Sequence, residues 1–315
     1  MEQIKPADFE VSVRNGSLLR WFVPYVLIAS LQYQFTKDGL TYASPFVLMA
    51  FRYVLVGAFF YFIGGRKIRL DRDTIKIAAF ASMSTGFWAV GLQYVSPGDS
   101  AVLSYSMPLF SIPIAYIAIG EKASMREIAG AIVGFSGVIL YSLTLTRGSL
   151  LVGAIFTLLN AIFWAAYSVY YRKLRESDPV PIITTQCLLG SIPFIIGSFL
   201  LPKFQVTTNL LFDLIYIVVF TGMIEYYLWV GLLRRGRVGR ITTMAFAVPA
   251  TSILIDSVLS FTFPAYLAIA GAVVMFFGIF LSNWIEKKQP VEGQPDSKPA
   301  NEGKDVPSLK SEEKP

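Results

Sequence analysis

The chain has 315 residues, of which 54% are apolar and only 15% charged, too little charge to cover the surface of a soluble domain. It has no histidine and a single cysteine, Cys187, which excludes an intrachain disulfide and a histidine proton relay. Almost no ligand set is left for a His/Cys metal site, so neither metal nor cofactor is expected.

Residues 1–20 carry Glu2, Asp8 and Glu10 and lack an apolar core, so they read as a cytoplasmic N-terminal segment and not as a cleavable signal peptide. Apolar residues then fall in blocks of about 18–22, the length of helix that crosses a bilayer core. The blocks are continuous, as in IVGFSGVILYSL and IYIVVFTGM, whereas the strands of a membrane barrel alternate apolar with polar. Ten spans are predicted, near 21–36, 45–63, 75–94, 99–119, 127–144, 149–171, 181–201, 210–233, 239–259 and 265–284. The expected fold is therefore all-α and integral to the membrane. From residue 286 the chain is rich in Pro, Lys and Glu; such a stretch buries too little surface to offset the entropy of ordering and predicts a disordered cytoplasmic tail.

Lysine and arginine placement sets the orientation. One set of loop ends holds Arg66, Lys67, Arg69, Arg72 and Lys76, then Lys122 and Arg126, then Arg172, Lys173 and Arg175, then Arg234, Arg235, Arg237 and Arg240; the opposite loops hold only Lys37, Arg147 and Lys203. With about 23 basic residues on the side of both termini and 3 on the other, both termini are expected in the cytoplasm and the protein in the cell (plasma) membrane. The formal charge of +6 is thus a topology signal facing the lipid bilayer, and no nucleic-acid partner is expected.

The chain repeats itself. Residues 98–140 overlay 239–281 at an offset of 141 without a gap, with roughly 13 of 43 positions identical, including Gly98/Gly239, Pro108/Pro249, Gly130/Gly271 and Gly137/Gly278. Trp88 and Trp229 fall on the same offset, and GSLL opens both halves at 16–19 and 148–151. The expected halves, 21–147 and 148–285, hold five spans each. An odd number makes the second enter from the opposite side, giving two inverted five-helix repeats around a site near the midplane.

Polar residues deep in a bilayer face protein or a water-filled cavity, which selects the candidate site. Gln32, Tyr33 and Gln34 lie in the first span, Arg52 in the second, Trp88 and Gln93 in the third, and Tyr105 in the fourth. Asn160, Trp164 and Tyr167 share one face of the sixth. Glu225 lies in the eighth with Tyr226, Tyr227 and Trp229 beside it. Of these, Gln32, Gln34, Trp88, Tyr105, Asn160, Trp164, Tyr167, Glu225 and Tyr226 are the expected substrate-binding set. Glu225, Asp256 and Arg52 are candidates for a coupling site or charge pair; the structural alternatives, preferred in each case, are a neutral acid hydrogen-bonded between helices for Glu225, a carboxylate that reaches external water or caps a helix end for Asp256, and a snorkelling side chain or, above all, an ion-paired strut for Arg52. The repeat partners Pro108 and Pro249 each remove a backbone hydrogen bond and are candidate hinges.

Several pieces together resemble the EamA family of the drug/metabolite transporter superfamily: SPFVLMAFRY with Pro45, Arg52 and Tyr53; the turn Val95-Ser96-Pro97-Gly98; MPLFSIPIAYIAIGEKAS with Pro108, Gly120 and Glu121; the helix carrying Gly130 and Gly137; and FWAAYSVYYRK at 163–173. The resemblance implies ten helices, cytoplasmic termini and a central cavity, in a family that includes exporters of amino acids, metabolites or drugs. Two departures stand out. Glu121 has Thr262 as its repeat partner, and the first span, LIASLQYQFTK, lacks the tryptophan common there while Trp164 is kept in the sixth. The expected function is a secondary transporter moving a small organic solute outward by alternating access, with a lipid or lipid-linked-sugar flippase as the alternative. No nucleophile motif occurs, and no glycine loop followed by Lys-Ser/Thr, so no enzyme or ATP site is expected.

Overall fold

The computed structural model describes residues 15–143, 150–259 and 266–283. The chain divides into two units, Met1–Trp284 and Ile285–Pro315; the described residues all belong to the first, and the expected tail lies outside them.

Among the described residues the architecture is all-helical: α1 (Asn15–Tyr42), α2 (Pro45–Ile63), α3 (Arg72–Gly91), α4 (Pro97–Ser104), α5 (Met107–Ile119), α6 (Met125–Ser142), α7 (Leu150–Lys173), α8 (Pro179–Leu200), α9 (Thr208–Ile215), a π-helical segment (Tyr216–Ile224), α10 (Glu225–Arg235), α11 (Val238–Met244), α12 (Ala247–Leu259) and α13 (Tyr266–Asn283). Five stretches are long and apolar enough to cross a membrane, namely Pro45–Ile63, Pro97–Ile119, Leu151–Lys173, Pro179–Leu200 and Thr208–Arg235. Together with large apolar side chains exposed along their outer faces, such as Phe62, Ile117 and Phe199, they make this a multi-pass membrane protein.

Local chemistry explains the helix starts. Ser44, Ser96 and Asp178 each precede a proline at the first helical position and accept a backbone N–H with their side chains. Asp71 caps α3 through Asp73 N and Thr74 N, both at 3.0 Å, and pairs with Arg69. Burial works against its charge, but the Arg69 guanidinium and the Thr74 donors win and hold its carboxyl down at about 2. Gly120, in the left-handed conformation at φ +67°, ends α5.

Three expected spans differ from plain helices. The fourth and ninth are each broken, between α4 and α5 and between α11 and α12. A proline ring clashes with the carbonyl four residues before it. For Pro108 that residue is Ser104, where α4 stops, and for Pro249 it is Ala245, just past the end of α11. Short i→i−3 bonds bridge the gaps, Ser106 N to Leu103 O at 3.2 Å and Val248 N to Ala245 O at 2.9 Å. The two prolines therefore stand in the first turn of a second helix and not within a continuous one. The eighth span contains the π segment, in which Glu225 N–H reaches back five residues to Phe220 O.

Helices from corresponding places in the two halves pack on each other, α2 on α8 and α6 on α13. The glycines fix their direction. A Cβ on Gly130 would lie 2.7 Å from Gly278 O, and one on Gly137 would lie 2.6 Å from Gly271 O. Each glycine thus touches the repeat partner of the other, and the contacts run in opposite senses along the chain, so α6 and α13 are antiparallel. The same holds for α2 and α8, where Gly64 meets Val180, Gly57 meets Leu188 and Gly197 meets Phe46. Because backbone occupies the space beside Gly137, Gly137→Leu is expected to cost about 1–3 kcal/mol through overpacking and to lower the unfolding temperature of the solubilised protein. Ile132→Leu, at a side chain 57% exposed on the same helix, should leave that temperature unchanged.

Candidate functional site

A cavity of about 40 Å³ lies where the halves meet, lined by Gln32, Tyr33, Arg52, Ser84, Thr85, Trp88, Ser104, Tyr105, Met107, Asn160, Trp164 and Glu225. These come from α1, α2, α3, the α4–α5 break, α7 and the junction of the π segment with α10. All but Trp164 are buried, so the chamber is walled by side chains from the interior of the bundle.

On one wall Asn160 holds two helices together: Ser84 Oγ donates to its Oδ1 at 2.7 Å, and its Nδ2 donates to Ser104 Oγ at 2.9 Å. Elsewhere in the lining Gln32 Nε2 donates to Glu225 Oε1 at 3.3 Å, while Glu225 Oε2 is buried without a partner. Arg52 Nη2 donates to Thr221 O at 3.0 Å. A regular α-helix would use that carbonyl for Glu225 N–H, but the wide π turn sends this N–H to Phe220 O instead. Arg52 therefore satisfies a carbonyl that the π segment leaves available. Its guanidinium also lies 5.0 Å from the ring centre of Tyr226, whose hydroxyl reaches Tyr53 OH at 3.3 Å. Tyr53 OH in turn donates to Ala81 O at 2.9 Å. Aromatic rings complete the walls: Tyr33 meets Trp88 edge-on at 5.5 Å, and Trp164 sits 5.9 Å from Trp229, which stacks on Tyr25.

The structure brings together Gln32, Arg52, Trp88, Tyr105, Asn160, Trp164 and Glu225 around this chamber. Tyr167 and Tyr226 stand one layer behind, against Trp164 and Arg52 respectively. Gln34 does not line it: at 100° per residue it points about 200° away from Gln32. Asp256 falls within α12, but its side chain lies outside the described residues. Pro108 and Pro249 follow the two helix breaks, the first of which supplies Ser104, Tyr105 and Met107 to the wall. Ser84, Thr85, Ser104 and Met107 were not singled out from sequence. Ser84 had one available signal, since the offset of 141 makes it the repeat partner of Glu225.

At the basic end of the bundle one ion pair joins several helix ends. Glu121 accepts from Arg172 Nε at 3.3 Å and from Val238 N–H at 2.6 Å. Arg172 Nη1 also donates to Leu233 O and Arg234 O, both at 3.1 Å. This clasp ties the segment after α5 to α7, to the end of α10 and to the start of α11. At the other end Lys37 Nζ donates to Leu92 O at 2.6 Å and to Val95 O at 2.9 Å, closing the carbonyl end of α3.

The model of the EamA-like transporter family matches this chain twice, over residues 19–143 and 151–284. The chain belongs to the EamA-like transporter family. An uncharacterized transporter of Acidianus ambivalens is 41% identical over 240 residues, spanning 76% of this chain and 94% of its own. The uncharacterized transporter YvbV of Bacillus subtilis (strain 168) is 23% identical across 84% of this chain and 90% of its own. A WAT1-related chloroplastic protein of Arabidopsis thaliana is 26% identical across 86% and 71%. A solved crystal structure superposes with a TM-score of 0.72 at 18% identity, covering 85% of this chain and 96% of that one, a likeness of fold. The family and these names make the protein a membrane transporter of the drug/metabolite transporter superfamily.

Because Asn160 serves two hydroxyls at once, Asn160→Leu removes both side-chain partners and leaves Ser84 only the longer contact to the residue-160 carbonyl, at 3.4 Å. A loss of about 1–3 kcal/mol in all is expected, read as a lower unfolding temperature than that of Asn160→Ser.

Proposed function

We propose that this EamA-family protein is a secondary transporter that carries a small organic solute by alternating access through the central chamber, in the export direction. The observation that carries this reading is one polar chamber, lined from both halves of the chain, between helices whose repeat partners run antiparallel. Counting each broken helix as one span, and α9, the π segment and α10 together as one, gives ten spans in two inverted five-helix repeats. The basic loop ends then lie with both termini in the cytoplasm of a cell whose plasma membrane holds the protein. Two such halves rocking against each other around the fixed site expose it to each side in turn.

The breaks before Pro108 and Pro249 serve as hinges, since each replaces a stiff run of i→i−4 bonds by a looser turn, the first of them beside the chamber. The Glu121–Arg172 clasp closes the cytoplasmic side; its repeat position is Thr262, so the outer side lacks the equivalent carboxylate. Glu225, held on one oxygen by Gln32 with the other unpartnered, is the site of proton coupling.

Purified protein in lipid vesicles should show saturable solute flux that responds to an imposed pH gradient. Glu225→Gln should retain residual flux that no longer responds to the gradient; unchanged coupling would remove that assignment. Arg172→Gln should open the cytoplasmic side more often, seen as faster labelling of a chamber thiol from that face. Slower or unaltered labelling would show that the clasp is no gate.

A further inference from the structure

At the end of the bundle away from the Glu121–Arg172 clasp, α1 meets α9, and the contact holds two carboxyl groups. Asp213 of α9 is 4% exposed, and its Cβ lies 3.6 Å from where a Cβ on Gly39 would stand. Asp38, next to Gly39 on α1, brings its carboxyl within hydrogen-bond reach of the Asp213 carboxyl. Asp213 Oδ2 is buried and has no amide, amine or hydroxyl donor. Among the described residues the cations on this side turn elsewhere: Lys37 Nζ to Leu92 O and Val95 O, Lys203 Nζ to Leu40 O at 3.3 Å, and Arg52 of α2 to Thr221 O. The other titratable groups nearby are also engaged. Tyr42 OH accepts from Asn209 Nδ2 at 3.2 Å, Tyr216 OH donates to Ile28 O at 2.8 Å, and Asp99 caps α4. Asp213 stands about 8 Å along the span that begins at Thr208, where a carboxylate without a counter-charge is costly. Two ionised carboxyls only accept, and at this range they repel. Their contact becomes a hydrogen bond when one proton lies between them.

We propose that Asp38 and Asp213 form a proton site that latches α1 to α9, and so one half of the chain to the other: a proton shared by the carboxyls joins the helices, and its loss parts them. The surroundings are built as a joint between the halves. Ser44 N donates to Lys203 O and Gln205 N to Tyr42 O, both at 2.9 Å, which lays the α1–α2 link against the α8–α9 link. Phe51 stacks on Phe204 beside it, with ring centres 5.4 Å apart. The sign of the pH effect follows from proton counting. Above about pH 5 separate carboxyls have ionised, so the joined form holds one proton more than the parted form. Raising the pH therefore favours the parted form. The clasp at the other end relies on a guanidinium, which keeps its proton. Neither aspartate lines the chamber, so the latch sets when this end opens and not what the chamber binds.

The test reads the latch as a distance in the full chain, carrying Cys187→Ala and reconstituted in lipid discs. Spin labels are attached at Thr41→Cys on α1 and Leu211→Cys on α9, both exposed positions, and their separation is read by electron spin resonance. The separated population should grow at least about threefold between about pH 5 and pH 8. Asp213→Asn gives Asp38 a donor that has no proton to lose, so it should hold the short distance at every pH. Where that variant fails to fold, Asp38→Asn, at an exposed residue, should do the same. Asp213→Glu keeps the chemistry of the pair and should keep a pH response. The proposal is overturned if the distance in the parent chain ignores pH, or if its pH response survives both Asn variants. A distance that follows added calcium ions and not pH would also overturn it, in favour of a cation site. The measurement needs no solute, so its failure leaves the transporter reading untouched. A working latch in a protein that moves no solute would sink that reading alone.

Discussion

A backbone carbonyl inside a bilayer has no water to turn to, and this constraint decides where the chain is free to leave the α-helix. The irregular segments of this protein obey it. The α4–α5 break opens beside the chamber and its bonds are remade as i→i−3 contacts. The π segment leaves Thr221 O to the guanidinium of Arg52, a residue from another helix. Irregularity is thus placed where protein can answer it, and that place is the site. The guanidinium that meets Thr221 O also lines the chamber, so one side chain joins the π turn of the eighth span to the chamber wall.

The two halves share a plan but not a chemistry. Their glycine contacts are exchanged symmetrically, Gly130 with Gly278 and Gly137 with Gly271, which keeps the outer framework even-handed. The polar residues are lopsided: in the chamber Glu225 stands where its partner is Ser84, and at the basic end Glu121 stands where its partner is Thr262. A transporter built on a pseudo-two-fold axis needs the symmetry to make its two end states similar in energy. It needs the asymmetry to give those states different preferences for solute and proton.

Much of this was legible in the sequence, and the omissions have physical causes. Long apolar blocks, the offset of 141 and the matched glycines sufficed for an all-helical membrane protein of this family, because periodicity and composition are local. The breaks were only half legible: Pro108 signals a lost hydrogen bond, but whether the helix kinks or stops depends on how neighbouring helices receive the freed groups. The π segment had no signal in YIVVFTGMI, and the donor that meets its freed carbonyl, Arg52, comes from the distant α2. Gln32 and Gln34 looked alike by type, and helical phase separates them. Ser84, Thr85 and Ser104 were passed over because small hydroxyl residues are common at tight helix contacts, where they carry no mark of a cavity.

The central claim is that one chamber is reached from both sides of the membrane, never from both at once. It is tested most directly by placing a thiol at Ser104→Cys, on the chamber wall, in a Cys187→Ala background, and treating intact cells and inside-out vesicles with a membrane-impermeant thiol reagent. The account predicts labelling from both faces, each slowed by bound solute, and faster from one face when the other is held closed. Labelling confined to a single face under every condition would contradict it.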